Sequence, residues 1–236
     1  MNGTLYGVGV GPGDPRLMTY LAVDTIKRCP VIAVPADGKG KAVAYKIASG
    51  IVEDLDAKEC LNLSTPMTKD KAILDAAYQT AADTIIEQLE QGKDVACLTL
   101  GDPTIYSTYI YIHRLVKAKG YETEIVNGIP SFCAAAAISK IPLTAWDEDL
   151  VIAPVRKNNA ADLEKLLTEH ENVVLMKPST DSEALVSAIQ ASGRENSFVL
   201  VEKAGTKEQR LIREYQTLKE EPVPYLSLMI LKSQKQ

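Results

Sequence analysis

The densest chemistry in the chain lies where the apolar run Val95 to Leu100 meets Gly101, Asp102 and Pro103. The run has the length and character of a strand buried on both faces, and Gly-Asp-Pro is strong turn chemistry. In an open α/β sheet, ligands sit where the chain leaves the carboxyl ends of such strands. Asp102 is therefore expected at the mouth of a crevice, beside backbone groups of Gly101 that no side chain shields. The plainer alternative is a strand-to-helix turn with Asp102 as its N-cap. Further turns could face this one. Gly128 to Phe132 brings a hydroxyl and a ring to a helix start; Val174 to Lys177 ends a buried strand on the adaptable Met176; Val201 to Thr206 offers the small residues Ala204 and Gly205. Such a lining suits a flat heteroaromatic ligand such as adenine better than a phosphate chain.

Other chemistries fare worse. No GxSxG, HExxH or P-loop occurs, and His113 and His170 are the only histidines, so acid-base hydrolysis is disfavoured. His113 reads as a surface or half-buried helix residue. Group transfer from an activated donor, where positioning supplies most of the rate, stays open. The glycine loop at Gly7 to Asp14 suggests a dinucleotide fold, with Asp37 near the place of a ribose acid. The register fails, because the third glycine of the fingerprint would fall on Pro12 or Asp14. Pro12 has no N–H for a pyrophosphate, and Asp14 adds negative charge where phosphate would lie. The loop is better suited to an uncharged or cationic ligand.

The elements that must position these turns follow from periodicity. Thr4 to Val10, Val31 to Pro35, Glu59 to Leu63, Val95 to Leu100 and Tyr121 to Val126 read as strands. Helices are expected at Pro15 to Arg28, Val43 to Ile51, Lys69 to Gln91 (capped by Ser64 or Thr68) and Thr104 to Lys119. The stripe on the third of these runs through Ala72, Ile73, Ala76, Ala77, Thr80, Ala81, Thr84, Ile85 and Leu89. After a Gly and Pro turn at Asn127 to Pro130, Ser131 begins another helix. Strands follow at Leu150 to Pro154, Val173 to Met176, Ser197 to Val201 and Tyr225 to Leu231, with helices at Ala160 to Glu169 and Ser182 to Ala191. The expectation is two α/β domains, 1–128 and 129–236, with a cleft between them.

Composition bounds the partners. The 236 residues are 46% hydrophobic and 24% charged, as in ordinary globular proteins. A net charge of −5 without a basic stripe argues against a nucleic-acid surface. No apolar run approaches the roughly 20 residues that span a bilayer, and no signal segment is visible. Cys29, Cys60, Cys97 and Cys133 lack metal or redox spacing and read as buried apolar residues of a cytoplasmic protein. No metal site is expected.

Taken together, GVGVGPGDP, TLGDPTIYST, NGIPSF, VVLMKP and VEKAGTKEQR resemble the tetrapyrrole methylase family over nearly the whole chain. Within that family, VPADGKGKA, NLSTPMTKDK, GDPTIYSTY and VPYLSLMIL resemble the methyltransferases acting at C-20 of precorrin-2 or its cobalt complex in corrin synthesis. One departure is Asn127, where the resemblance leads one to expect Pro. The resemblance implies S-adenosylmethionine as methyl donor, held in the inter-domain cleft against Pro12, Leu100, Gly101, Asp102, Ile105, Ser131, Phe132, Met176, Ala204 and Gly205. It implies a homodimer and a small-molecule tetrapyrrole substrate rich in carboxylates. Tyr106, just past the donor turn, is the candidate for touching the macrocycle, and Arg16, Lys39, Lys41, Arg156, Lys157 and Lys177 are candidates for its carboxylates. Methylation of uroporphyrinogen III, or of an RNA ribose or protein histidine, is an alternative enzymatic reading. A non-catalytic module that binds S-adenosylmethionine is the alternative from another class.

Overall fold

The computed structural model describes residues 1–36, 42–66 and 68–232. The chain divides into two units, Met1–Pro130 and Ser131–Gln236. In the first, β1 (Leu5–Gly9), β2 (Val31–Ala36), β3 (Glu59–Ser64), β4 (Val95–Thr99) and β5 (Thr123–Val126) form a parallel sheet in the order β3-β2-β4-β1-β5. Between them run α1 (Tyr20–Arg28), α2 (Val43–Ala48), α3 (Lys71–Glu90) and α4 (Tyr109–Ala118).

Both faces of this sheet are buried, which is why its central strands are apolar without alternation. Ala96 and Leu98 of β4 pack in one core with Ile26 of α1 and Tyr45 of α2. Val95 and Cys97 pack in another with Ile85 and Leu89 of α3 and Ile112 and Val116 of α4. The chain leaves β1 toward the α1 face and leaves β4 toward the α4 face. These adjacent strands therefore mark the point where the winding reverses, and their carboxyl ends open a crevice.

Several helices depart from the boundaries that periodicity suggests. Pro15–Leu17 is a short 3-10 turn, and α1 begins only after Thr19, whose Oγ1 accepts the Ala22 N–H at 3.1 Å; Leu21 is exposed. α3 is capped by Asp70, which accepts the Ala72 and Ile73 N–H groups at 2.9 and 3.3 Å, rather than by Ser64 or Thr68. Thr68 Oγ1 instead accepts the Asp70 N–H at 3.1 Å. Burial on α3 falls on Ala81, Ala82, Ile85, Ile86 and Leu89, while Ile73 is exposed. α4 starts at Tyr109 and not at Thr104, because Tyr106 holds φ at +49°, outside the helical region.

The second unit carries α5 (Ser131–Ser139), β6 (Leu150–Pro154), α6 (Ala160–Glu169), β7 (Asn172–Met176), α7 (Ser182–Ala191), β8 (Phe198–Glu202), β9 (Arg210–Ile212), α8 (Tyr215–Glu220) and β10 (Ser227–Leu231). Its sheet order is β6-β7-β10-β8-β9, with β6 and β7 parallel and the remaining pairs antiparallel. Leu163, Leu167, Leu185, Ile189 and Leu218 from α6, α7 and α8 pack on Val173, Leu175, Leu200 and Met229. α5 packs against β8 and β10. β9 and α8 are too short for periodicity to reveal them.

All four cysteines are free. Cys29 and Cys97 are buried as expected, whereas Cys60 and Cys133 are exposed. Among the described residues no helix is long and apolar enough to cross a membrane, and no cluster of His, Cys, Asp or Glu is placed to hold a metal ion.

Candidate functional site

Beyond β1 and β4 the chain pairs once more. Gly11 and Gly101 form an antiparallel bridge, with the Gly11 N–H donating to the Gly101 carbonyl at 3.2 Å and the Gly101 N–H to the Gly11 carbonyl at 2.8 Å. Gly101 sits at φ +71°, in the left-handed region that favours glycine. The turn after β5 closes on the same spot, since a Cβ on Gly128 would stand 2.1 Å from the Gly101 carbonyl oxygen. The sequence puts glycine at these positions because the backbones touch.

Asp102 is buried at the centre of this meeting, with 5% of its surface exposed. Its Oδ1 accepts the Thr104 N–H at 2.8 Å and the Thr104 hydroxyl. Its Oδ2 accepts the Gly128 N–H at 3.0 Å and the Asn127 Nδ2–H at 3.1 Å. Burial pushes the carboxyl pKa up, but the hydrogen bonds from Thr104, Asn127 and Gly128 outweigh it and hold Asp102 below the usual carboxylate range. The side chain is therefore ionised at neutral pH. Asn127 is tied a second time through its carbonyl, which accepts the Thr19 hydroxyl at 3.2 Å.

The other first-unit candidates lie around this turn. Pro12 is buried beside the glycine bridge, Ile105 is half-buried with its N–H donating to the Asp102 carbonyl at 3.2 Å, and Leu100 keeps 37% of its surface exposed. Tyr106, also exposed, holds φ at +49°, and its neighbour Ser107 is joined to Thr99 by hydroxyls 2.9 Å apart. Arg16 is drawn into a fork with Asp14, Nε to Oδ1 at 3.0 Å and Nη2 to Oδ2 at 2.6 Å, and the pair is at the surface. Lys39, Lys41 and Asp37 lie outside the described residues. His113 is half-buried, with its Nδ1 3.3 Å from the Tyr109 hydroxyl.

Within the second unit, β7 and β8 run in one direction on either side of β10, so Met176 and Glu202 end at the same edge of that sheet. Lys177, Ala204 and Gly205 follow directly, and the Lys203 N–H is anchored to the Leu226 carbonyl at 2.7 Å. Arg156 leaves that edge too, since Pro154 pairs with Met176 in register and the Val155 N–H donates to the Met176 carbonyl at 2.8 Å. Met176 is half-buried, Ala204 buried, and Arg156, Lys157 and Lys177 exposed. Ser131 and Phe132 open α5, half-buried and buried respectively.

A family model for tetrapyrrole (corrin/porphyrin) methylases matches residues 4–219. The chain belongs to that family. This methylase is 42% identical, over 77% of its length and 75% of the other's, to a protein of Methanocaldococcus jannaschii named probable cobalt-precorrin-2 C(20)-methyltransferase. It is 31% identical to a precorrin-2 C(20)-methyltransferase of a Sinorhizobium species, covering 97% of this chain and 95% of that one. A solved uroporphyrin-III C-methyltransferase from Thermus thermophilus, complexed with S-adenosyl homocysteine, shares the fold with a TM-score of 0.72 at 20% identity, covering 98% of this chain and 92% of that one.

Chemically, the methylase's glycine meeting point can take a ligand against bare backbone, and its one buried charge is negative. A phosphate would meet the carboxylates of Asp14 and Asp102 there, with Arg16 already paired to Asp14. The sequence marks Thr104 only as a helix start and Asn127 only as part of a turn and a departure from pattern, and assigns nothing to Thr99 and Ser107. The available signal was the run of short hydroxyl and amide side chains at strand ends, residue types that hydrogen-bond nearby backbone.

Proposed function

We infer that this methylase transfers a methyl group from S-adenosylmethionine to the C-20 meso carbon of precorrin-2 or cobalt-factor II in corrin synthesis. The observation that carries the reading is the glycine meeting point with its ionised Asp102, in a chain 42% identical to a protein named for that reaction. The residues present fit the donor. Backbone at Gly101 and Gly11 is bare, Pro12 and Leu100 offer apolar surface, and the local charge is negative rather than phosphate-binding. In this reading Pro12, Leu100, Gly101 and Ile105 hold the donor, and Asp102 shapes their turn. Ser131 and Phe132 also bind the donor, and Met176, Ala204 and Gly205 complete its adenosine side.

When bound, S-adenosylmethionine would supply an electrophilic sulfonium methyl: C-20 would attack that carbon in line, S-adenosylhomocysteine would leave as the C–S bond breaks, and the proton on C-20 would pass to solvent. The chain's task is alignment in a dry site, which contributes roughly 7 to 11 kcal/mol in favourable cases. A strong base is unnecessary, and no histidine is asked to act as one. Tyr106 abuts the macrocycle, and Arg156, Lys157 and Lys177 bind its carboxylates, each such charge-assisted contact contributing about 1.5 to 3 kcal/mol. Arg16 joins them by exchanging or sharing Asp14. The same reading makes the protein a cytoplasmic homodimer acting on a small molecule and not on nucleic acid, in keeping with its net charge of −5.

The test is incubation with labelled S-adenosylmethionine and, separately, precorrin-2, cobalt-factor II and uroporphyrinogen III, following label and product mass. One added methyl on precorrin-2 or cobalt-factor II is expected. Transfer only to uroporphyrinogen III would replace the substrate, and donor binding without any transfer would make the chain a binding module.

A further inference from the structure

A carboxylate offers about four acceptor positions on its two oxygens. At Asp102 four donors fill them: the Thr104 N–H and hydroxyl on Oδ1, and the Gly128 N–H and Asn127 Nδ2–H on Oδ2. An incoming ammonium or ribose hydroxyl finds no acceptor position left. We propose that Asp102 is the internal tie of the donor turn rather than a ligand of the donor, and that Asn127 is a positioning residue that sets the turn through Asp102. This rests on the methyl-donor reading above and deepens it.

The placement of Asn127 makes the idea specific. Its side chain reaches a buried carboxylate from an exposed position, so its truncation opens no cavity. Its backbone is held independently, by the Thr19 hydroxyl that also caps α1. Removing the amide therefore subtracts one hydrogen bond from Asp102 and leaves the β5 turn anchored. Asp102 in turn joins the turn after β4, which carries Gly101 and Ile105, to the turn after β5, which carries Gly128. Loosening this joint lets the Gly101 backbone drift from the geometry in which it receives the donor.

The experiment measures S-adenosylhomocysteine affinity by calorimetry for the full chain and for Asn127→Ala, Asp102→Ala and the double variant, with thermal unfolding of each. Asp102→Asn, which keeps the shape, stands in should Asp102→Ala not fold. A hydrogen bond to a charged group leads us to expect a roughly tenfold loss of affinity for Asn127→Ala. In turnover, KM for S-adenosylmethionine should rise by a similar factor while kcat at saturating donor falls much less. The double variant should bind no worse than the Asp102 variant alone, because Asn127 acts only through Asp102. Unchanged affinity in Asn127→Ala, with or without a lower melting temperature, would overturn the proposal, and so would losses that multiply in the double variant. Failure of the wild type to bind S-adenosylhomocysteine would remove both this proposal and the functional reading. Binding without tetrapyrrole methylation would remove the substrate assignment alone.

Discussion

Asp102→Ala withdraws an acceptor from several donors at once, and the Gly128 N–H among them is buried. Leaving such a donor unsatisfied costs about 1–3 kcal/mol, which urea unfolding should register. The acid dependence follows from the same contacts. The Asp102 pKa is depressed in the folded state, so its contribution is complete above the unfolded carboxylate value and is lost as pH falls through the lower folded value. The stability gap between wild type and Asp102→Asn should thus be constant around neutrality and close at the acid end of a urea series run over pH. Gly128→Ala makes the opposite error, pushing a methyl into the Gly101 carbonyl, and should destabilise by about 1–3 kcal/mol and abolish donor binding. How much of this was readable in advance follows residue by residue. Gly101 and Asp102 declare a turn by their types alone. That Asn127 would donate to Asp102 was not readable, because the register of β4 and β5 through β1 brings them together, and register is a tertiary fact.

At the scale of elements, the helices α6 and α7 were legible to their ends, since apolar spacing and flanking polar residues agree there. α4 was not, because Ile105 fits its stripe while the left-handed Tyr106 interrupts the helix. α3 shows the same competition at its start, where Ser64, Thr68 and Asp70 all qualify as caps and the nearest one wins. Asp70→Ala should therefore cost about 1 kcal/mol in unfolding free energy, with Thr68→Ala costing less, as paired denaturation curves would reveal. Exposed Ile73 lies in the first turns of that helix and should tolerate a polar replacement at little cost.

At the scale of the whole molecule, the alternation of strands and helices announced two α/β units, and the mixed second sheet was hidden because β8 and β10, though antiparallel, are buried throughout and read as apolar runs like parallel strands. The cores are confined to one unit or the other, Leu98 and Cys97 to those of the first and Leu175 and Met229 to that of the second. Thiol labelling reads this burial directly. A maleimide should modify Cys60 and Cys133 in the native protein and reach Cys29 and Cys97 only after unfolding, since burial pushes the Cys97 thiol up to about 12. Rapid native labelling of all four would contradict the packing described for β4.

The position of β10 has a consequence for how the protein is made. Ser227–Leu231 is the last strand in sequence, yet it is paired on both sides, to β7 and to β8. A ribosome therefore delivers β6 with β7, and then β8 with β9, as separate ribbons whose inner edges stay open until the strand between them emerges. Such edges are templates for pairing with other chains. Until that strand is in place, the open edges of β7 and β8 are the part of this unit most exposed to pairing with another chain.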